Sequence, residues 1–350
     1  MPVPVQKAWK HIVLSFLAAA ALTGCGLVDE DMSDCETDYR IDYQLRLVTN
    51  MTTELQTQLG LQTDLSLATA LKTYLSDIFT DYAHDVDLSF YDVGENPLRL
   101  HHERHIMDNN SSSYTLYIPV RKYMHLGVAN LDGCPTVSLE QDERSNTARL
   151  HQQVADTLPP HRKGLFTARL PMDIKEGVDQ HFDVHLYMAN CASALVLDTL
   201  GSHIKDIKVY TAGFATDFDL ADSTYHYLYT PIFRTDKVDI PDASSSKLCF
   251  ASVTFPSRTA ADTKVIIETT DPFVTEDAAQ TLWQYRVYTT LQDNSVTETL
   301  LSLRQSLQAG QLKVLTANVY ENGTISPSDP TVGVSITMDW DPGLEVDVVF

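Results

Sequence analysis

What most limits the fold of this chain is a two-residue alternation that returns in segment after segment. Tyr39, Ile41, Tyr43, Leu45 and Leu47 are separated by Arg40, Asp42, Gln44 and Arg46. Successive side chains of a strand point to opposite faces, so this run specifies a strand with one dry and one wet face. The pattern returns in residues 85–91 through Val86, Leu88 and Phe90, and again in residues 114–119, 123–129 and 164–174. It starts afresh with Phe182, Val184, Leu186 and Met188. Further strands are expected at 194–197, 204–214, 248–255, 264–268, 283–291, 314–320 and 333–340. Pro119 has no amide proton, so it ends a ladder or lies on an edge. Asn109-Asn110 and Asp132-Gly133 mark turns.

Many short strands and few helices make the fold mainly β, with a β-sandwich in each half. Two segments depart from this. Leu67, Leu71, Tyr74, Leu75, Ile78, Phe79 and Tyr82 recur three and four residues apart. They predict a short helical insert in the first half, over residues 63–83, with Thr63 or Asp64 as its cap. A second short helix is expected at 298–309 on Leu300, Leu303 and Leu307, stopped by Gly310. Residues 138–163 are polar and poorly patterned. The polar run 175–180 reads as the boundary between an N-terminal domain, 39–174, and a C-terminal domain, 181–350.

The N-terminus reads as a targeting segment. Lys7 and Lys10 precede the apolar run 12–22, which is too short to span a bilayer. Leu22-Thr23-Gly24-Cys25 follows, the lipobox pattern of bacterial lipoproteins. The chemistry requires a thiol at this point, because a diacylglycerol is attached to sulfur before cleavage on its N-terminal side. Residues 1–24 are then the signal peptide and Cys25 is the lipidated first residue, with a further acyl chain such as palmitate on its amino group. More than one chain makes such an anchor stable. Residues 25–38 form an acidic tether with Asp29, Glu30, Asp31, Asp34, Glu36 and Asp38. The acids serve either as a solvated linker or as a surface-export signal. Position 26 is Gly rather than Asp, so retention at the inner membrane is not signalled. The location expected is the outer membrane, lipid-anchored and surface-exposed.

The formal net charge of the 350 residues is −22 at pH 7. A surface this acidic argues against nucleic acid, whose binding rests on neutralising phosphates. Beyond Cys25 lie Cys35, Cys134, Cys191 and Cys249, far apart and without a Cys-x-x-Cys. Export permits disulfides. Cys35 and Cys134, each flanking a predicted strand of the first half, form the preferred pair; buried free thiols are the alternative.

Chemical motifs are sparse. His101, His102 and His105 lie in one run, but Ile106 stands where HExxH needs its second His, so a solvated strand face is preferred to a metal. Asp217, Asp219 and Asp222 lack the Gly and Glu of a calcium loop. Ser202 to Lys205 and Ser244 to Lys247 fit S-x-x-K without its companion motifs. No nucleophile elbow, phosphate loop or dinucleotide fingerprint is present. No catalytic residue, metal or cofactor is expected, and the chain does not read as an enzyme. At the C-terminus Leu344, Val346, Val348 and Phe350 alternate with Glu345, Asp347 and Val349. Such a strand either completes its own sheet or adds to a partner chain.

Several pieces recur in a known order. They are Cys25 with its acidic leader and Ser33-Asp34-Cys35, the strand 41–47, and Asp85-Val86-Asp87-Leu88-Ser89-Phe90-Tyr91-Asp92. Then come Tyr114-Thr115-Leu116-Tyr117-Ile118-Pro119, Val128-Ala129-Asn130-Leu131 and Val184-His185-Leu186-Tyr187-Met188. The last is Gly333-Val334-Ser335-Ile336-Thr337-Met338-Asp339-Trp340-Asp341-Pro342-Gly343. Together they resemble the fimbrillin-associated anchor lipoproteins of Bacteroidota, the FimB-type anchors of type V pili. The resemblance implies two transthyretin-like Greek-key β-sandwiches and fimbrial subunits as partners. It also implies a role at the base of a fimbrium, where the lipid holds the fibre to the outer membrane. Such an anchor should keep its first strand. The helical insert and residues 138–163 fall outside the resemblance. The competing reading is a surface lipoprotein that binds glycan or a host protein, which calls for exposed aromatics. Trp283 and Trp340 sit instead in strand-like alternation, where core packing is expected.

Overall fold

The computed structural model describes residues 38–48, 65–80, 82–94, 97–107, 112–199, 203–241, 246–262 and 281–339. The first half runs β1 (Asp38–Val48), α1 (Leu65–Ile78), β2 (Asp85–Asp92), β3 (Arg99–Ile106), β4 (Ser113–Pro119) and β5 (Lys122–Ala129), then β6 (Val137–Glu140), β7 (Arg149–Gln152), β8 (Phe166–Asp173) and β9 (Gln180–Met188). The second half opens with β10 (Cys191–Thr199), β11 (Ile204–Ala212), β12 (Asp217–Asp219), β13 (Thr224–His226), β14 (Ile232–Arg234) and β15 (Asp236–Val238). It closes with β16 (Lys247–Thr254), β17 (Trp283–Leu291), β18 (Val296–Leu303), β19 (Leu312–Val319), β20 (Ile325–Pro327) and β21 (Gly333–Asp339). The protein is mainly β, as the alternation demands.

Seven strands are hydrogen-bonded in the order β3-β2-β5-β8-β9-β1-β4. This sheet folds over on itself. β8 and β9 pair only through Phe166–Met188 and Thr167–Tyr187. Val120 and Arg121 alone join β4 to β5, although three strands separate those two in the order. In a flat sheet four spacings of ~4.8 Å exceed the reach of so short a connection. The layers β3-β2-β5-β8 and β9-β1-β4 therefore face each other. Ile41, Tyr43, Leu45, Leu116, Ile118, Val184 and Leu186 of one layer share a core with Val86, Leu88, Phe90, Ala168 and Met172 of the other. The amphipathic stripe of α1, Leu67, Ala70, Leu71, Leu75 and Ile78, is buried in the same core.

The remaining strands form sheets β15-β16-β10-β19-β20, β14-β11-β17-β18-β21 and β13-β12-β7-β6. β10 is buried without interruption from Cys191 to Leu197, Ser193 included, because both of its faces are covered. Ala192, Ala194 and Val196 face the first core, while Cys191, Leu195 and Leu197 face a second core around Trp283, Tyr285, Val287 and Leu301. A third core joins the back of β2 and β5, through Tyr91, Leu126 and Val128, to Leu150 and Phe218 of the four-stranded sheet.

Two sequence expectations are corrected here. Residues 175–180, expected to separate domains, form the connection between the paired strands β8 and β9 and the first residue of β9, with Gly177 at φ +70°. A polar, Gly-containing turn has the composition of a linker. β9, expected to open the second domain, belongs to the first sheet, and the four-stranded sheet takes β6 and β7 from one half and β12 and β13 from the other. The described residues from Tyr39 onward form one compact unit. The helix expected at 298–309 is strand β18 in its first half and irregular after Leu303: Thr297, Thr299, Leu301 and Leu303 are buried, while the Leu300 counted toward a helical stripe faces the other way. Leu-rich runs this short satisfy either period. The segment 264–268 lies outside the described residues.

Gly213 has φ +98°, and a Cβ there would lie 2.7 Å from the Leu282 carbonyl oxygen and from Trp283 Cα. Backbone strain and a backbone clash act together, so Gly213→Ala should destabilise the protein by about 3 kcal/mol. Chemical denaturation followed by the fluorescence of the buried Trp283 would measure it.

Candidate functional site

The strand nearest the predicted lipid attachment is β1, so its fixation is the first question. Its polar residues Arg40, Asp42 and Arg46 face water while Ile41, Tyr43 and Leu45 are buried. β1 pairs in parallel with β9, from Ile41–Gln180 to Val48–Tyr187. On its other side it adjoins β4, with the Leu45 amide donating to the Ser112 carbonyl at 2.7 Å. The outward ion pairs Arg40–Asp42 and Arg46–Asp183 are exposed, and pairs of that kind add little.

Tyr43 crosses the sandwich interior. Its hydroxyl hydrogen-bonds His125 Nε2 on the facing layer. His125 Nδ1–H donates to the Ser89 carbonyl at 3.1 Å, which leaves Nε2 as the acceptor. The imidazole stacks on Phe90, with centroids 4.4 Å apart and 18° between planes. Burial pushes the His125 imidazole down to about 4, so it is neutral and suited to both partners. The first strand is thus held by main-chain ladders on both sides and by a buried polar bond across the core.

A second polar node lies where residues 138–163 showed no pattern. His161, Gln152 and Asn190 are each fully buried. His161 Nε2–H donates to Gln152 Oε1 at 2.7 Å, and Asn190 Nδ2 donates to His161 Nδ1 at 2.6 Å. Gln152 Nε2 donates to the Thr136 carbonyl, and the Leu165 amide donates to Asn190 Oδ1. The His161 amide reaches the Val253 carbonyl on β16, and the Gly310 amide reaches the Asn190 carbonyl. The node therefore ties both halves together with its polar atoms satisfied. Burial pushes the His161 imidazole down to about 3. Sequence reading missed it because a buried polar network has no period; the one signal was a polar segment too long for a simple turn.

The sequence candidates are spread apart. Cys25, Cys35, Leu344, Val346, Val348 and Phe350 lie outside the described residues, as do Trp340, Ser202 and Ser244. Cys134, Cys191 and Cys249 are buried free thiols. Burial pushes them up to about 11, about 12 and about 12 respectively. In native protein all three should resist iodoacetamide at pH 8 and react fully in urea, as peptide mass spectrometry would show. Alkylation of Cys134 before denaturation would contradict this.

His101 and His105 bond the two oxygens of Glu103, at 2.7 and 2.6 Å, and His102 bonds Asp87 at 2.9 Å. His101, Glu103 and His105 lie opposite Phe90, Leu88 and Val86, so they occupy the core-side face of the outermost strand, β3. Inward-facing charge blunts a sheet edge against further pairing. Asp217 bonds His151 and Thr216, Asp219 bonds His226, and Asp222 accepts the Thr224 amide. Among the described residues no group of three or more His, Cys, Asp or Glu side chains could hold a metal ion. Ser138 lies opposite His151, with its hydroxyl directed to the His151 main-chain carbonyl at 3.5 Å. Trp283 is core, its indole N–H donating to the Gln305 carbonyl.

The edge opposite in character to β3 is β21. Among the described residues it pairs with β18 alone, Val334 opposite Leu301 and Ile336 opposite Thr299. Val334 and Ile336 are 44% and 45% exposed although their partners are buried, so an apolar strip remains uncovered just before the C-terminal tail.

No protein-family model matches this chain. No curated protein matches it either. Solved structures to which the chain is similar include a putative adhesin of Bacteroides ovatus, 11% identical, with 88% of this chain and 97% of that chain covered at a TM-score of 0.47, and fimbrial proteins. One is the fimbrial anchor protein Mfa2 of Porphyromonas gingivalis, 9% identical, with 86% of this chain and 98% of that chain covered at a TM-score of 0.46. Another is the tip fimbrial protein Mfa3 of the same organism, 7% identical, covering 87% and 100% at 0.41. A fimbrial assembly protein of Parabacteroides distasonis is 11% identical, covering 86% and 99% at 0.37.

Proposed function

We propose that this protein is a non-catalytic, lipid-held anchor or accessory subunit of a fimbrium at the outer membrane. The observation that carries the reading is the attachment of β1. Only residues 26–37 separate the lipobox Cys25 from a strand built into the sandwich between β9 and β4. A pull directed along β1 is shared by its ladders, and Tyr43 pins the strand to the opposite layer. A load-bearing link between a lipid and a fibre needs this arrangement; a glycan-binding surface does not. In this reading the two pairs of facing layers are transthyretin-like Greek-key sandwiches, and the partners are fimbrial subunits.

Growth of the native host with an alkyne analogue of palmitate tests the anchor itself. Wild-type protein should take up the label and fractionate with the outer membrane. Cys25→Ala should take up none and stay unprocessed or soluble. Label on the Cys25→Ala protein would remove the lipid from the account.

A further inference from the structure

One end of the first sandwich gathers the connections between strands. β1 and β9 run parallel and begin together, Ile41 opposite Gln180. Lys122 at the start of β5 lies opposite Asp173 at the end of β8, and Tyr123 lies opposite Asp92 at the end of β2. The Ile174 amide donates to the Arg121 carbonyl at 3.0 Å. The connections β2–β3, β4–β5 and β8–β9 are therefore neighbours at the end where the chain from Cys25 enters. Each presents an aliphatic side chain to water: Val93 at 50% exposure, Val120 at 41% and Val178 at 56%, with Leu98 beside Val93 at 47%. At the opposite end β9 leads through the buried Ala189 and Asn190 into the second half.

A single exposed valine carries no meaning. Three on adjacent turns, at the point where a lipid tether joins the fold, define a surface. We propose that this end rests on the lipid bilayer, with Val93, Val120 and Val178 inserted at the level where headgroups meet acyl chains. The inference rests on the lipid-anchor reading. Residues 26–37 span at most ~40 Å when extended, so the body stays within reach of the bilayer, and contact sets its orientation. Arg121, Lys122 and Lys175 share these turns with Glu176 and Asp179. Asp92 and Asp173 lie at the same end, and such a mixed-charge rim fits zwitterionic rather than anionic headgroups.

The test uses the native lipoprotein and its Val120→Trp, Val178→Trp and Tyr187→Trp variants. Each is reconstituted into phosphatidylcholine–phosphatidylethanolamine vesicles with plain or brominated acyl chains. Tyr187 is exposed near the far end of β9, opposite Val48, and serves as the distant reporter. After subtraction of the wild-type signal, bromine should reduce the emission of Trp at 120 and 178 at least twofold and leave that at 187 unchanged. Protein that floats with the vesicles but shows equal emission at all three positions would overturn the seating and leave the lipid anchor standing. Protein that does not float would overturn both.

Discussion

Tyr43→Ala is expected to destabilise the protein by about 4 kcal/mol, the cost of deleting a fully buried aromatic side chain from a packed core. Two losses combine. The phenyl ring leaves a cavity among Ile41, Leu45 and the facing residues, and His125 Nε2 loses its donor in a site that water does not reach. Tyr43→Phe separates them. It keeps the ring and removes the hydroxyl, so it should cost only about 1–2 kcal/mol, the price of one buried unsatisfied acceptor. The double variant Tyr43→Phe, His125→Leu should recover part of that loss, because it removes the stranded acceptor as well. Urea unfolding followed by circular dichroism would measure all three. Equal stability of Tyr43→Ala and wild type would mean that β1 is not held as described, and the load-bearing argument would fail with it.

His161→Leu should cost about 3 kcal/mol at pH 7, since it leaves Gln152 Oε1 and Asn190 Nδ2 without partners inside the protein. The same residue makes stability depend on acid. In the unfolded chain a histidine takes up its proton near pH 6.5, whereas folded His161 and His125 resist it down to about 3 and about 4. Above pH 6.5 both states are neutral at these positions and the full stability is present. As the pH falls below 6.5 the unfolded chain binds protons that the folded chain refuses. Stability is then lost by up to ~1.4 kcal/mol per pH unit for each histidine, until the folded sites protonate in turn. His161→Leu should therefore be weaker at pH 7 and lose stability less steeply between pH 6 and 4. An unchanged acid slope in the variant would show that the unfolded state, or other groups, sets the acid response.

The strands were legible because one dry face imposes a period of two. The bounds of β17, Trp283–Leu291, coincide with the run read from alternation alone, and α1 falls inside the stretch predicted from Leu67, Leu71, Leu75 and Ile78. Legibility ended where a residue is covered on all sides. β10 reads as an apolar block, and nothing in its composition says that Ala194 and Leu195 serve different cores. The node of Gln152, His161 and Asn190 was invisible for the opposite reason, since its residues are polar yet buried by one another. The turn at 175–180 imitated a linker because both need Gly and charge. Of the candidate site, Tyr43 was legible as a core position, but its partner His125 was not; only the fold brings together residues 82 positions apart. The His101–Glu103–His105 run was legible as chemistry without its context, which is the inner face of an edge strand.

An anchor of this kind must hold a fibre to the cell through Cys25. Electron microscopy of the native host, with fibres counted on cells and in the medium, tests this most directly. A deletion strain complemented with wild-type protein should carry its fibres, and one complemented with Cys25→Ala should shed them into the medium. Fibres retained equally by the two strains would contradict the account.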